Sequence, residues 1–347
     1  MESVSRKPQD ILRLADLHPE LARWAQTHLS PPPPQDLPTM RAIYEKINQN
    51  YLKILTIDFK AHILIESHTV LTSDNHHVPI RIYRAASSST PGPLIVNIHG
   101  GAKIMGTLTD EEAHCRIFAY QFNATCINID YRLAPEHKSP TMIYDCWDVV
   151  QWVAKHASEI GADPYKGFII QGSSSGAQMA DVIGHLSRDE NLEPPITGLL
   201  EICSNACQYN AVPSQFATEF LSWDQEIKGG VSREDLLRFY ELTGAAANPA
   251  DRFNSPLLWP GGHRDLPPVF LQVHGRDFVR DSTLIYERVL REEGVQVGLK
   301  VYPGCPHGFN TMFCELEIAK EHERDTLEGL RTKGRDYIRA NPASGDN

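Results

Sequence analysis

The chain has 347 residues, 41% of them hydrophobic and 22% charged, which supplies a sizeable core and excludes a globally disordered chain. Its 44 Asp and Glu outnumber 33 Lys and Arg, a formal charge of −11 with no basic cluster, so nucleic acid is excluded as a partner. No apolar run reaches the roughly 18 residues of a membrane span, and none after Met1 to Asp10 is long enough for a signal peptide.

Residues 9–29 carry Ile11, Leu14, Leu17, Leu21, Trp24 and Ala25 at helical spacing, which predicts a helix. Pro31 to Pro34 then form a stiff linker, because proline fixes φ and lacks an amide donor. A second helix is expected over 39–55. Both precede any strand signal, so residues 1–57 read as an appended layer. Ile63, Ile65, His68 and Val70 open a strand, and Pro79 to Arg84 alternates as its antiparallel neighbour. After a Ser- and Pro-rich link at 85–92, Leu94 to Ile98 is a short apolar run ending in glycines, as buried parallel strands do. Strands then alternate with helices: strand 125–129, helix 141–157, strand 167–171, helix 175–187 and strand 197–203. The rhythm resumes with strand 268–274, helix 282–293 and strand 297–302, and ends in a helical C-terminal region. This order predicts an α/β fold with a mostly parallel sheet covered on both faces. The core is expected over 58–203 and 263–347.

Residues 204–262 break the rhythm, with helical segments expected at 213–227 and 232–243. An insertion of this length inside a regular alternation reads as a lid. Its aromatic residues Phe216, Phe220 and Trp223 either line a substrate pocket or pack the insertion onto the core, and the sequence leaves both readings open.

Seven cysteines, an odd number without a secretory signal, predict reduced thiols and a cytoplasmic location. Cys203 and Cys207 lie four apart, a spacing that suits one helical face. Two thiols with no second pair nearby make a poor metal site, so both are read as structural, and no metal is expected.

Chemistry concentrates at four places, each just past a strand. Gly172-Ser-Ser174-Ser-Gly176 follows the apolar strand Phe168 to Gln171 and precedes a helix, the context that a nucleophile elbow requires. A serine hydroxyl needs a base to take its proton, and His307 in Cys305-Pro-His-Gly-Phe309 offers one after strand 297–302. An imidazole in that role needs a carboxylate to fix its tautomer, and Asp277 follows strand 268–274. Loops at the carboxyl ends of parallel strands converge on one crevice. The order Ser174, Asp277, His307 is that of the α/β-hydrolase fold. Finally, His99-Gly100-Gly101-Ala102 follows strand 94–98. Amides of Gly100, Gly101 and Ser175 are the candidate oxyanion donors, worth about 3 kcal/mol each where charge develops. Ala102 stands beside the expected pocket.

These residues resemble the hormone-sensitive-lipase-like carboxylesterases of the α/β-hydrolase fold, over about residues 60–310. His99 to Ala102 with Gly106 is similar to that family's HGGG loop, and Tyr131-Arg-Leu-Ala-Pro-Glu-His137 matches its Y-R-L-A-P-E-H segment, followed by Pro140 and Asp145. Trp152 and Ala162-Asp-Pro164 resemble its spacer, Asp277-Phe-Val-Arg-Asp281 its D-P-L-R-D, and His307-Gly-Phe309 its H-G-F. The resemblance implies a cap built from N-terminal helices and an insertion, here 1–57 and 204–262. It also implies hydrolysis of short to medium acyl esters without a cofactor, with Glu136 and His137 buttressing the oxyanion loop. Members sometimes form homodimers through the last edge strand, here 297–302. Two departures stand out: Ser173 replaces the aspartate of the usual G-D-S-A-G-G, and Ala102 the third glycine. They point to a specialised enzyme acting on a bulky natural-product ester. Two rivals share the site: a lyase or isomerase (a dehydratase or cyclase) using His307 as a base on carbon, and a non-catalytic ligand receptor. Receptors on this scaffold lack the histidine that His307 provides.

Overall fold

Residues 5–28, 36–54, 61–87, 90–227 and 231–331 are described by the structure, a computed structural model. The linker Pro31 to Pro34 lies outside them. Strands β1 (Ile63–Leu71) and β2 (His77–Ala85) form an antiparallel hairpin, and β2 also pairs antiparallel with β4 (Thr125–Ile129). The remaining strands, β3 (Leu94–Ile98), β5 (Phe168–Ser173), β6 (Gly198–Ile202), β7 (Val269–Arg276) and β8 (Val297–Pro306), extend the sheet in parallel with β4. The spatial order β1-β2-β4-β3-β5-β6-β7-β8 places β8 at an edge.

Every residue of β3 and β4 is buried, as continuous apolar strands between two helical layers must be. Leu94, Val96 and Ile98 of β3 face a core shared with α5 (Thr141–Lys155), α6 (Ser175–Asp189) and α8 (Arg280–Glu292). Ile95 faces the opposite core, built with α4 (Glu112–Phe122) and Leu330 of α10 (Glu317–Arg331). The period of two thus sorts side chains between the layers. Helix α4 has no counterpart among the expected elements, although Cys115, Phe118 and Ala119 give it an apolar stripe. A crossover between parallel strands β3 and β4 requires such an element.

Two expected helices are not formed as read. The stretch 9–29 splits into α1 (Pro8–Arg13) and α2 (Pro19–Thr27). The break docks on the turn at Gly304: its amide donates to Leu14 O at 2.7 Å, and its carbonyl accepts from the His18 amide at 3.2 Å. A Cβ at Gly304 would lie 2.2 Å from Asp16 O, so only glycine admits this approach. Helix α3 (Leu37–Ile54) follows as expected. In the insertion, 213–227 carries only a 3₁₀ turn at Ser214–Phe216. Its next amides leave the helical ladder: Leu221 and Ser222 N–H donate to Asp281 Oδ2 at 2.7 and 2.6 Å. Ser222 Oγ donates to Phe278 O at 2.8 Å. The second segment forms α7 (Arg233–Thr243) behind a Ser232–Asp235 capping box.

Candidate active site

The nucleophile candidate stands where β5 turns into α6. Ser174 adopts φ 55° and ψ −118°, a left-handed value that a non-glycine residue holds only under constraint. The flanking glycines make the turn possible. A Cβ at Gly172 would sit 2.3 Å from Gly176 C, and one at Gly176 would sit 2.0 Å from Ile98 O. Ser174 N–H donates to Ile202 O at 2.7 Å, tying the elbow to β6.

The loops after β7 and β8 bring the other two candidates to this point. Ser174 Oγ lies 2.7 Å from His307 Nε2, and His307 Nδ1 lies 2.5 Å from Asp277 Oδ2. Asp277 Oδ1 accepts a further hydrogen bond from the Val279 amide at 3.2 Å. Burial alone would lower the imidazole's pKa, but the adjacent Asp277 carboxylate, and to a lesser degree Cys203, raise it well above its ordinary value. Burial pushes Asp277 up, and His307 reverses this, holding the carboxyl below its usual range. Small helix α9 (Phe309–Met312) begins just past His307, and the Gly308 amide donates to His274 Nδ1 at 3.2 Å.

The oxyanion loop after β3 is built around His99. Its ring stacks on Tyr131 at 4.1 Å, its Nδ1 lies 2.7 Å from Gly100 O, and burial lowers its pKa to about 4. Gly106 takes φ 112°, and a Cβ there would lie 2.1 Å from the same ring. Gly101 takes φ 101°, whereas Ala102 and Lys103 occupy the left-handed region at 54° and 62° despite their side chains. Ala102 therefore keeps the backbone of a glycine position at a strain of about 1–2 kcal/mol. Lys103 offsets part of that. Its amide donates to Ser175 Oγ at 3.2 Å and its buried ammonium to Gln178 Oε1 at 2.8 Å, with burial lowering its pKa to about 8. Among the described residues, no acceptor takes the Gly100, Gly101 or Ser175 amide.

The Y-R-L-A-P-E-H segment holds this loop from outside. Tyr131 Oη donates to His99 O at 2.8 Å. Arg132 pairs with Asp145 at 2.5 Å and with Asp74 at 2.8 Å. Glu136 acts through Arg41 of α3: their bidentate pair at 2.8 Å orients the guanidinium onto Ile104 O at 2.7 Å and Ala134 O at 3.0 Å. His137 is exposed, its ring 6.5 Å from that of His76, and does not share the buttressing role expected of it.

Several neighbours carry no motif. Glu111, at φ 57°, places a buried carboxylate against Ser173, in the region where the family's aspartate is missing. It pairs with His114 Nδ1 at 2.6 Å, and His114 Nε2 meets Glu323 at 3.1 Å. Burial opposes a charge on His114, yet Glu323 and Glu111 raise its pKa to about 10. Cys203 follows β6 directly, at φ 45° rather than on a helix, and its thiol is 3.8 Å from His307 Nε2. All seven cysteines are buried and unpaired.

The insertion aromatics divide. Trp223 stacks on Tyr209 at 4.0 Å and meets Phe278, next to Asp277, edge-on at 6.1 Å. Phe220 packs on the main core. Phe216 lies under the Arg288 guanidinium at 5.1 Å and lines a cleft of about 670 Å³ with Leu257, Trp259 and Val289, whose walls include neither Ser174 nor His307.

The chain belongs to the α/β-hydrolase fold family, whose model matches residues 95–311. Within it the chain is an esterase-type serine hydrolase of the hormone-sensitive-lipase-like carboxylesterase group. It is similar to the versiconal hemiacetal acetate esterase of Dothistroma septosporum, 27% identical over 272 residues, 78% of this chain and 80% of the relative. Carboxylesterase NlhH of Mycobacterium tuberculosis is 29% identical over 272 residues, 77% of this chain and 82% of the relative. The crystal structure of vibralactone cyclase superposes with a TM-score of 0.87 at 29% identity, covering 92% of this chain and 95% of that one. Among the described residues no helix is long and apolar enough to cross a membrane.

Proposed function

We propose that the chain hydrolyses a short-acyl, acetate-type ester of a bulky alcohol through a Ser174–His307–Asp277 triad. The observation that carries this reading is the hydrogen-bonded series at 2.7 and 2.5 Å beside free loop amides. The acyl carbonyl oxygen faces the amides of Gly100, Gly101 and Ser175. His307 takes the proton as Ser174 attacks, and Asp277 stabilises the imidazolium. The same proton passes to the departing alcohol, and water activated by His307 releases the acid. Residues 1–57 and 204–262 form the cap that closes over this crevice, with Trp223 nearest the acid loop, and the enzyme works in the cytoplasm.

The choice of a bulky alcohol rests on the similarity to the Dothistroma esterase and on the two departures at Ser173 and Ala102. A panel of esters graded in acyl length and alcohol size, run on the wild type and Ser174→Ala, tests it. Acetates should be preferred and the variant inert; hydrolysis by Ser174→Ala, or equal turnover of all simple esters, would count against it.

A second reading is favoured by the similarity to vibralactone cyclase: the same serine and imidazole closing a ring on a bound substrate instead of admitting water. The two part at the deacylation step. An ester substrate that yields free acid with one ¹⁸O from labelled water supports hydrolysis. With a lactone substrate, whose alcohol stays tethered through acylation, a ring-closed product that retains all substrate oxygens and gains none from water supports cyclisation.

A further inference from the structure

We propose that the Tyr44 hydroxyl, reaching in from α3, is a fourth donor to the substrate oxyanion beside the amides of Gly100, Gly101 and Ser175. The inference rests on the reading of Ser174 as the nucleophile. Its geometric basis is the side-chain-free face of Gly100, which Tyr44 and the elbow approach closely. A Cβ placed there would meet Ser174 Cβ at 3.4 Å, Ser173 O at 2.9 Å and Tyr44 Oη at 3.1 Å. Tyr44 and the nucleophile therefore share the small space left by the missing side chain, the space a substrate carbonyl must enter to meet the Gly100 amide.

The hydroxyl is prepared to donate. The nearby Asn48 side chain is a donor, giving its amide hydrogens to the Tyr44 main-chain O at 3.1 Å and to Asp110, and so does not take the Tyr44 O–H hydrogen. No acceptor among the described residues takes it. Burial first, and then the negative charge of Asp110 and Glu111, raise the phenol's pKa well above its ordinary value, so it stays protonated. The helix that carries it is pinned on both sides. One turn earlier Arg41 holds Ile104 O at 2.7 Å and Ala134 O at 3.0 Å, and one turn later Asn48 bonds Asp110. A donor on a fixed element needs little reorganisation when charge develops on the substrate oxygen. No proton is transferred: the hydroxyl donates to the oxyanion of the tetrahedral intermediate and keeps its hydrogen when that intermediate collapses.

The test compares the wild type with Tyr44→Phe, which removes one oxygen and keeps the ring. With p-nitrophenyl acetate, kcat/KM should fall about 10- to 100-fold with the loss mainly in kcat. Inhibition by a trifluoromethyl ketone, whose hemiketal oxyanion mimics the intermediate, should weaken by a similar factor. A residue that only packs would leave both within twofold, and that result overturns the proposal. If Tyr44→Phe does not fold, the wild-type crystal structure with the ketone bound decides instead. Tyr44 Oη within about 3.2 Å of the adduct oxygen is expected, and a separation too long for a hydrogen bond overturns it. Failure of the wild type to form an adduct at Ser174 would instead remove the triad reading, and this inference with it.

Discussion

Asp281 carries an unusual share of the contact between the insertion and the core, and its removal can be worked out in advance. Its Oδ2 accepts the amides of Leu221 and Ser222 at 2.7 and 2.6 Å, while its Oδ1 pairs with Arg280 Nε at 2.6 Å. Both side chains of the pair are within 1% of full burial. Asp281→Ala strands a buried guanidinium, at about 3–5 kcal/mol for a broken buried pair. It also orphans two amides, at about 1–3 kcal/mol each where they stay buried. The losses share one carboxylate and do not add, and Arg280 keeps Gly275 O at 2.9 Å, so a total of about 4 kcal/mol is expected. With a urea m-value of about 3 kcal/mol/M, the unfolding midpoint falls by roughly 1.3 M. Limited proteolysis should cut first within 213–227, before global unfolding. Asp281→Asn, which keeps an acceptor but not the charge, should lose less. A midpoint within 0.3 M of wild type on the same approximate m-value, with no new cleavage site, would refute this account of how the insertion is held.

Five further outcomes follow. Because His307 must be neutral to accept the Ser174 proton and its pKa is raised, activity should climb with pH and its acid limb should have a midpoint above the ordinary 6.5; a pH–kcat/KM profile centred below 6 would contradict this. Asp277→Asn should move that midpoint down and lower kcat by up to about 10⁴-fold, read on the same profile. Gly176→Ala places a methyl 2.0 Å from Ile98 O and should cost about 3 kcal/mol or more in thermal or urea unfolding. Gly294→Ala, with nothing within 4 Å but φ 88°, should lose only about 1–2 kcal/mol. Arg41→Ala should cut kcat/KM about 10- to 100-fold by freeing the two loop carbonyls, Ile104 O and Ala134 O, that it holds, while stability, for a half-exposed pair, changes by about 1 kcal/mol or less.

The sheet was legible because its strands announce themselves: β3, β4 and β5 are short apolar runs, β3 and β5 with glycine at or just past their ends, and β1 with β2 alternates. The same legibility extends to Ser174, Asp277 and His307 as candidates, since each lies at or just past a strand end. What the sequence hid depends on contacts across long separations. The break between α1 and α2 is marked locally by Pro19, which opens α2, but its docking on Gly304, nearly 300 residues away, leaves no trace in the helical spacing at 9–29. The loss of helix at 217–227 likewise stems from Asp281, whose carboxylate outcompetes the local carbonyls for two amides. Glu111 and Cys203 carry no motif; their only local mark is a left-handed backbone, which residue order does not reveal. Arg41 and Tyr44 read as ordinary positions of an amphipathic helix until that helix is seen against the loop at 99–106. Phe216 shows the opposite failure, because aromatic content in an insertion says nothing about which side of the core it will face.

In the proposed reaction one hydroxyl, activated by one imidazole, becomes acylated. Intact-protein mass spectrometry after treatment with a fluorophosphonate tests it most directly. The account predicts a single adduct, mapped by peptide sequencing to Ser174, formed at least 100-fold more slowly in His307→Ala. Labelling at another residue, or an unmodified folded protein, would contradict it.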